Sequence, residues 1–378
     1  MGVSCFVLSL LAIFPAPINF FWKLAIGVTE WGHVLIILSL LTLLPGWRNS
    51  QPGRIAGTLG LVATILALTP LLRAIPVARQ LPLQLQTAFG VAPSLAVADV
   101  SSRPHPLAAL DLLFGVNSPV AQYQSLVYAN VDGQELPLDF YQPPSSFRPA
   151  PCVIVIHGGS WRSGDSQQLA PLNSYLAARG YAVAAINYRL APRWRFPAAR
   201  DDVIAALNYL KTHADSLHLD AQRFVLLGRS AGGHLALLVA YTQHDSTIRG
   251  VISFYGPTDM HWSYAHPGNP LVIDTHDILK AFLGGNPDEV PANYDAASPI
   301  RFVEASTPPT LLIHGGRDEL VSVRQSERLA ERLAQSHAPH FFLRLPWATH
   351  AGDFNFSGPF GQISTFAVEH FLEAVNEK

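Results

Sequence analysis

Three apolar runs open the chain, at residues 3–22, 24–44 and 55–72. Each approaches the twenty or so residues a helix needs to cross about 30 Å of hydrocarbon, so the pattern predicts three transmembrane spans, with two as the fallback. Pro15 and Pro17 should kink the first run. Glu30 and His33 in the second are costly in lipid unless they face other helices or sit near the interface. The third is free of charge and carries Gly57, Gly60, Ala63 and Ala67, small residues that let membrane helices approach closely. No Lys or Arg precedes the first run, so the basic leader of a cleaved signal peptide is missing. Arg48 and Arg54 make the connector at 46–54 basic, which predicts that this side is cytoplasmic and that the chain beyond the third span is extracytoplasmic. Lys23, Arg73 and Arg79 nearly balance that bias. From Pro76 to about Val120, prolines and polar residues interrupt short apolar pieces such as 107–114. The expected organisation is a membrane segment at 1–75, a linker with short helices at 76–119 and a larger domain at 120–378.

At about residue 120 the rhythm changes. Alternating patterns at 124–131 and 135–141, joined through Asp132-Gly133, read as a β-hairpin. Apolar runs of about six residues follow at 152–156, 182–186, 224–227, 251–254 and 310–313, the pattern of strands buried on both faces. Helical patterns lie between them, near 169–179, 197–213, 231–242 and 324–335, and a last strand at 341–345 precedes a closing helix at 363–375. This alternation predicts an α/β fold with a mostly parallel, doubly wound sheet and right-handed crossovers.

Composition narrows the function. Only 14% of residues are charged and the formal net charge is −2, while mean hydropathy is +0.22. With no block of Lys or Arg there is no electrostatic footprint for nucleic acid. The two cysteines, Cys5 and Cys152, have no metal-ligand spacing and predict no structural disulfide.

Candidate chemistry centres on Gly228-Arg229-Ser230-Ala231-Gly232. An apolar run breaks here and a helix-forming run begins at once, the mark of a nucleophile elbow that lifts a serine Oγ above the sheet edge. A Cβ at Gly228 or Gly232 would obstruct so sharp a turn. Earlier, His157-Gly158-Gly159-Ser160-Trp161 follows the strand at 152–156. Two glycines in that loop can aim backbone N–H groups at a developing oxyanion, and the expected donors are Gly158, Gly159 and Ala231.

These residues resemble the α/β-hydrolase superfamily, and within it the hormone-sensitive-lipase-like esterases and the related feruloyl-esterase-like and kynurenine-formamidase-like groups. The landmarks are His157-Gly158-Gly159-Ser160-Trp161, then Asn187-Tyr188-Arg189-Leu190-Ala191-Pro192 with Phe196-Pro197-Ala198-Ala199 and Asp201-Asp202, then Gly228 to His234. The resemblance spans about residues 120–378. Ser160 departs from it, standing where the lipase-like group commonly has a third glycine, and the membrane segment has no counterpart. The chain order Ser, acid, His implied by the resemblance points to Asp318, in the loop after the strand at 310–313, and to His350, in the small-residue loop after the last strand. Asp259 is the alternative acid, with a turn cap as its ordinary role. Glu319 is expected to face solvent, His234 to be structural, His157 to brace its loop, and Arg189 and Asp202 to form an ion pair.

The expected function is a membrane-anchored serine carboxylesterase acting on a small-molecule or lipid-like ester, with Ser230 as nucleophile, His350 as base and Asp318 orienting it. No cofactor or metal is implied. A formamidase or amidase, a membrane transacylase, or a non-catalytic scaffold on the same fold are the alternatives. Residues 260–297, with Trp262, Tyr264, His266 and Phe282, are expected to cap the serine.

Overall fold

The computed structural model of the chain describes residues 1–44, 47–90, 103–145 and 149–376. Gly46 of the basic connector and residues 91–102 of the expected linker lie outside them. Four helices come first: α1 (Gly2–Ser9), α2 (Asn19–Glu30), α3 (Gly32–Leu40) and α4 (Gln51–Phe89), with α5 (Ala109–Phe114) before the sheet. The strands are β1 (Tyr123–Val131), β2 (Gln134–Tyr141), β3 (Ala150–Ile156), β4 (Ala182–Ile186), β5 (Leu219–Arg229), β6 (Ile248–Phe254), β7 (Thr310–Gly315) and β8 (His340–Leu345). Among and after them run α6 (Ala170–Ala177), α7 (Ala198–Thr212), α8 (Ala214–Leu217), α9 (Ala231–Thr242), α10 (Met260–Ala265), α11 (Thr275–Leu283), α12 (Pro291–Ala296), α13 (Arg324–Gln335) and α14 (Pro359–Asn376).

The strands form one eight-stranded sheet in the order β1-β2-β4-β3-β5-β6-β7-β8. Among the described residues only β1 with β2 and β2 with β4 pair antiparallel; from β4 to β8 every pairing is parallel. The hairpin closes through Asp132 and Gly133, both at positive φ, the backbone that matches the twist of its strands. Along β3, Cys152, Ile154 and Ile156 enter the core on one side, and Val153 and Val155 enter the core on the other. This period of two under a continuous apolar run is what a strand covered on both faces produces.

The amino-terminal part corrects two expectations. Residues 76–89 are no linker. The helix α4 is 39 residues long, capped by the Ser50 hydroxyl accepting from the Gly53 N–H and ended by Gly90 at φ +79°. Its length is about 58 Å. One buried stripe runs its full length at three- and four-residue spacing: Gly57, Gly60, Ala63 and Ala67, then Pro70, Ala74, Ala78, Leu81, Leu85 and Phe89. The small residues of the first half let α1 and α3 approach, and the larger residues of the second half join the core that covers the sheet beside α14. Packing along that stripe holds the helix together despite the internal Pro70, Pro76 and Pro82.

The second correction concerns the spans. The run at 3–22 does not form one helix. Helical structure covers Gly2–Ala12, stops before Pro15 and Pro17, and restarts at Asn19. Among the described residues one helix, α4, is long and apolar enough to cross a membrane; α2 with Gly32–Leu43, bent by 82° at their junction, makes a second if counted as one span. Glu30 packs inward rather than outward. It is fully buried against the larger domain, where its Oε2 accepts from the Phe360 N–H at 2.9 Å and its carbonyl accepts from the Asn355 amide at 3.1 Å.

Candidate active site

β5 ends at Arg229 and α9 begins at Ala231, so Ser230 alone makes the turn, at φ +53° and ψ −118°. A non-glycine residue held in such a conformation costs about 1–3 kcal/mol and persists only where its surroundings impose it. They do here. A Cβ on Gly228 would lie 2.1 Å from the Gly232 carbonyl oxygen, and one on Gly232 would lie 2.1 Å from that of Ile156. The Ser230 N–H donates to the Phe254 carbonyl at 2.8 Å, tying the elbow to β6.

The Oγ of Ser230 is 3.0 Å from Nε2 of His350, and Nδ1 of His350 is 2.6 Å from Oδ2 of Asp318. A proton on Nδ1, donated to the carboxylate, leaves Nε2 free to accept from the serine hydroxyl. Asp318 is the best-supported side chain of the group. Its Oδ1 accepts from the Leu320 and Val321 N–H groups, both at 2.9 Å. Its Oδ2 also meets Nε2 of His314 at 3.1 Å. Burial by itself raises the carboxyl's pKa, but the facing His350 and the His314 hydrogen bond outweigh it and hold the group well below the usual carboxylate range. It stays ionised. The Nδ1 of His314 is 2.7 Å from the Ser326 hydroxyl, which fixes the ring.

A second buried network flanks the histidine. The Tyr255 ring lies 4.3 Å from that of His350. The Tyr255 hydroxyl donates to Asp353 Oδ1, and Arg229 Nε donates to Asp353 Oδ2 at 2.6 Å. Arg229 precedes Ser230 and Asp353 lies three residues beyond His350, so the pair ties elbow to histidine loop. Neither this network nor the role of His314 was legible in the sequence; the Arg of the elbow motif and the histidine near the end of β7 were visible, but the partner of Arg229 lies 124 residues on, and the return of Asp318 and Ser326 to His314 is set by the fold of the loop and helix that follow β7.

The glycine loop differs from expectation at one position. The Gly158 N–H is already taken: it donates to Oε1 of Gln168 at 2.7 Å, ten residues downstream. Gly159 adopts φ +114°, and a Cβ there would meet the Ser163 carbonyl oxygen at 2.0 Å. Among the described residues the N–H groups of Gly159, Ser160 and Ala231 donate to no protein acceptor. All three residues line the cavity that holds Ser230. His157 stacks on Tyr188 at 4.2 Å, and its backbone carbonyl accepts from the Tyr188 hydroxyl at 3.1 Å.

The remaining expected residues sort themselves by position. Asp259 caps α10 by accepting from the Trp262 N–H and pairs with Arg328 at 2.8 Å. His234 is fully buried between the Trp161 indole N–H, 3.2 Å from its Nδ1, and the Ala297 carbonyl, 2.7 Å from its Nε2. Burial pulls its pKa down to about 4. Arg189 and Asp202 do form an ion pair, at 2.8 Å. Glu319 does not face solvent: it is half-buried, and its Oε1 accepts from the Ala16 N–H at 2.8 Å. Burial raises its pKa.

The segment between β6 and β7 folds α10, α11 and α12 over the serine. Phe282 packs inside it, stacked on Trp161 at 4.2 Å; Trp262 and His266 line the cavity instead. The cavity measures about 850 Å³ and holds Ser230, Asp318 and His350 in its wall, within the range of small-molecule sites. Among the described residues no group of three or more His, Cys, Asp or Glu is placed to hold a metal ion.

The sheet order, the one-residue elbow and the Ser–His–Asp line at its crest define an α/β-hydrolase fold. Residues 138–333, more than half of the chain, match the BD-FAE family, and the chain belongs to that family. Two relatives from Mycobacterium tuberculosis H37Rv are similar. The probable carboxylic ester hydrolase LipM is 29% identical over 240 residues, 60% of this chain and 54% of the relative. The esterase LipC is 33% identical over 221 residues, 54% of each. The chain thus spans about half the length of the curated relatives it matches. Among solved structures, a bacterial heroin esterase aligns with a TM-score of 0.59 at 25% identity over 78% of this chain and 96% of its own. A truncated carbohydrate esterase from gut microbiota aligns with a TM-score of 0.56 at 25% identity, over 67% and 99%.

Proposed function

We propose that the chain is a membrane-anchored serine carboxylesterase. The observation that carries the reading is the line from Ser230 Oγ through His350 to Asp318, at 3.0 and 2.6 Å, in the wall of an 850 Å³ cavity. His350 takes the serine proton as Oγ attacks the ester carbonyl; the ionised Asp318 holds the imidazole tautomer and stabilises its positive form. The oxyanion of the tetrahedral intermediate is received by the N–H groups of Gly159 and Ala231, each donor contributing about 2.7–4 kcal/mol in comparable sites. Ser160 is the third candidate donor, in place of Gly158. His350 then protonates the leaving alkoxide, and water repeats the sequence on the acyl-enzyme. An ester is the preferred substrate because an alkoxide leaves with less assistance than an amine, and because relatives along this stretch are named as ester hydrolases.

Anchoring rests on α4, whose first half presents Ile55, Leu61, Ile65 and Leu72 outward. Arg48 and Arg54 at its start support a cytoplasmic end there and a hydrolase domain outside, against the opposing Lys23, Arg73 and Arg79. The test is hydrolysis of p-nitrophenyl esters from acetate to palmitate by the detergent-solubilised chain and by Ser230→Ala. Wild type should turn over, and the variant should lose about a thousandfold or more in kcat. Equal rates from the two proteins would sink the assignment of Ser230.

A further inference from the structure

The residues between α1 and α2 are not a free connector. Arg317, one residue before Asp318, donates from its guanidinium to the carbonyls of Leu11, Ala12 and Phe14 at 2.7–3.0 Å. Glu319, one residue after, accepts from the Ala16 N–H. The loop that carries the acid therefore grips the amino-terminal segment on both sides of Asp318. The cap grips it too. The Asn19 N–H donates to the Leu271 carbonyl at 3.0 Å, the Asn19 amide to the Val272 carbonyl at 2.9 Å, and the Asn269 amide to the Pro17 carbonyl at 2.9 Å.

The next turn of α2 brings Trp22 into the lining of the cavity that holds Ser230. Its indole N–H is buried and has no acceptor among the described residues. Apolar side chains surround this part of the molecule. Phe354, which lines the cavity, and Phe14, Phe20 and Leu271 on the gripped segments are each more than half exposed. Trp31, at the far end of α2, meets Phe354 edge to face at 6.5 Å. α2 therefore lies across the cavity side of the domain, from cap to histidine loop, and the apolar helix that follows leaves it at 82°. An apolar rim continuous with apolar helices is a surface for lipid rather than water.

We propose that α2 and the segment before it form a wall of the substrate cavity, that the cavity opens at the membrane surface, and that the substrate is a long-chain acyl ester taken from the bilayer with its chain against Trp22. This rests on the hydrolase reading above and adds the substrate class and the residue that selects it. Trp22 is a specificity residue rather than part of the chemistry.

The experiment uses the full chain in mixed micelles and the same p-nitrophenyl series. Its readout is the ratio of kcat/KM for laurate to that for acetate. Trp22→Ala should lower this ratio at least tenfold, and Trp22→Phe, which restores the apolar wall, should recover most of it. A second readout needs no folded alanine variant. With p-benzoylphenylalanine at position 22, ultraviolet light should cross-link the tail of a hexadecyl fluorophosphonate bound at Ser230 and not that of an ethyl one. A ratio unchanged in Trp22→Ala, or no cross-link to the hexadecyl tail, overturns this inference while leaving ester hydrolysis intact. Failure of wild type to hydrolyse any ester of the series overturns the hydrolase reading and this inference with it.

Discussion

Two adjacent glycines separate a donor from its neighbour. Gly159→Ala must place a Cβ 2.0 Å from the Ser163 carbonyl oxygen and 2.7 Å from its carbon, on a backbone at φ +114°. Neither contact is with a flexible side chain, so the loop itself has to move. The conformational cost is about 1–3 kcal/mol, and relief of it displaces the Gly159 N–H from the oxyanion position. Loss of one such donor is worth about 2.7–4 kcal/mol, a fall of 10²–10³ in kcat with a smaller change in KM. Gly158→Ala is the comparison. Its Cβ would stand 3.0 Å from the Arg229 carbonyl oxygen and 3.3 Å from both Gln168 Oε1 and Ser230 Cβ, contacts that ask for shifts of a few tenths of an ångström where the 2.0 Å contact of Gly159→Ala demands far more. Its N–H already serves Gln168, so no hole donor is lost, and the expected fall is about tenfold or less, under about 1.4 kcal/mol. The assay is steady-state hydrolysis of p-nitrophenyl butyrate, with thermal unfolding of each variant in the same detergent to confirm that it is folded. Equal losses in the two variants, or a Gly159→Ala enzyme within tenfold of wild type, would refute the assignment of the hole to Gly159.

Acidification should expose the buried His234. Its pKa is about 4 in the fold against 6.5 for an ordinary histidine, so between those values the unfolded chain binds a proton that the folded chain does not. Stability therefore falls as pH drops through that window, by up to about 1.4 kcal/mol per unit and roughly 3 kcal/mol in all. Thermal unfolding at pH 7 and pH 4.5 should show a smaller acid-induced loss in His234→Gln than in wild type, and an equal loss would remove His234 as its source. Leu81→Ala tests whether the second half of α4 belongs to the hydrolase domain. Leu81 is fully buried in the core beneath the sheet, so truncation should cost about 2–5 kcal/mol; an unchanged unfolding temperature would mean that α4 is only a tether.

Most of the sheet was legible because its signals are local. Each parallel strand is a short apolar run bounded by turn residues, and the hairpin declares itself in Asp132-Gly133. The elbow was legible for the same reason: a strand, a Gly-x-Ser-x-Gly and a helix in direct succession admit one backbone geometry. The second half of α4 was not. Pro70, Pro76 and Pro82 read locally as breaks, whereas the helix persists because Ala74, Ala78, Leu81, Leu85 and Phe89 fall on one stripe with a core to cover. The stripe could have been found by its spacing; what it packs on could not. Glu319 is the same case in polar form. Nothing near Glu319 in the chain foretells that its carboxylate meets the Ala16 N–H, about three hundred residues away.

The sequence by itself determined the order of strands and helices, the elbow at Ser230 and the glycine loop at 157–161, because backbone sterics and hydrophobic periodicity act over a few residues. It also supplied Asp318 and His350 as the residues to look at, through their place after particular strands. Only the tertiary structure decided which N–H groups of the glycine loop have no protein acceptor among the described residues, which second histidine meets Asp318, and that Trp22 of α2 lines the cavity. Those outcomes depend on how loops fold back on one another, across ten residues for Gly158 and Gln168, four for His314 and Asp318 and about three hundred for Ala16 and Glu319, and hydrogen-bond partners of that kind leave no periodic trace in the sequence.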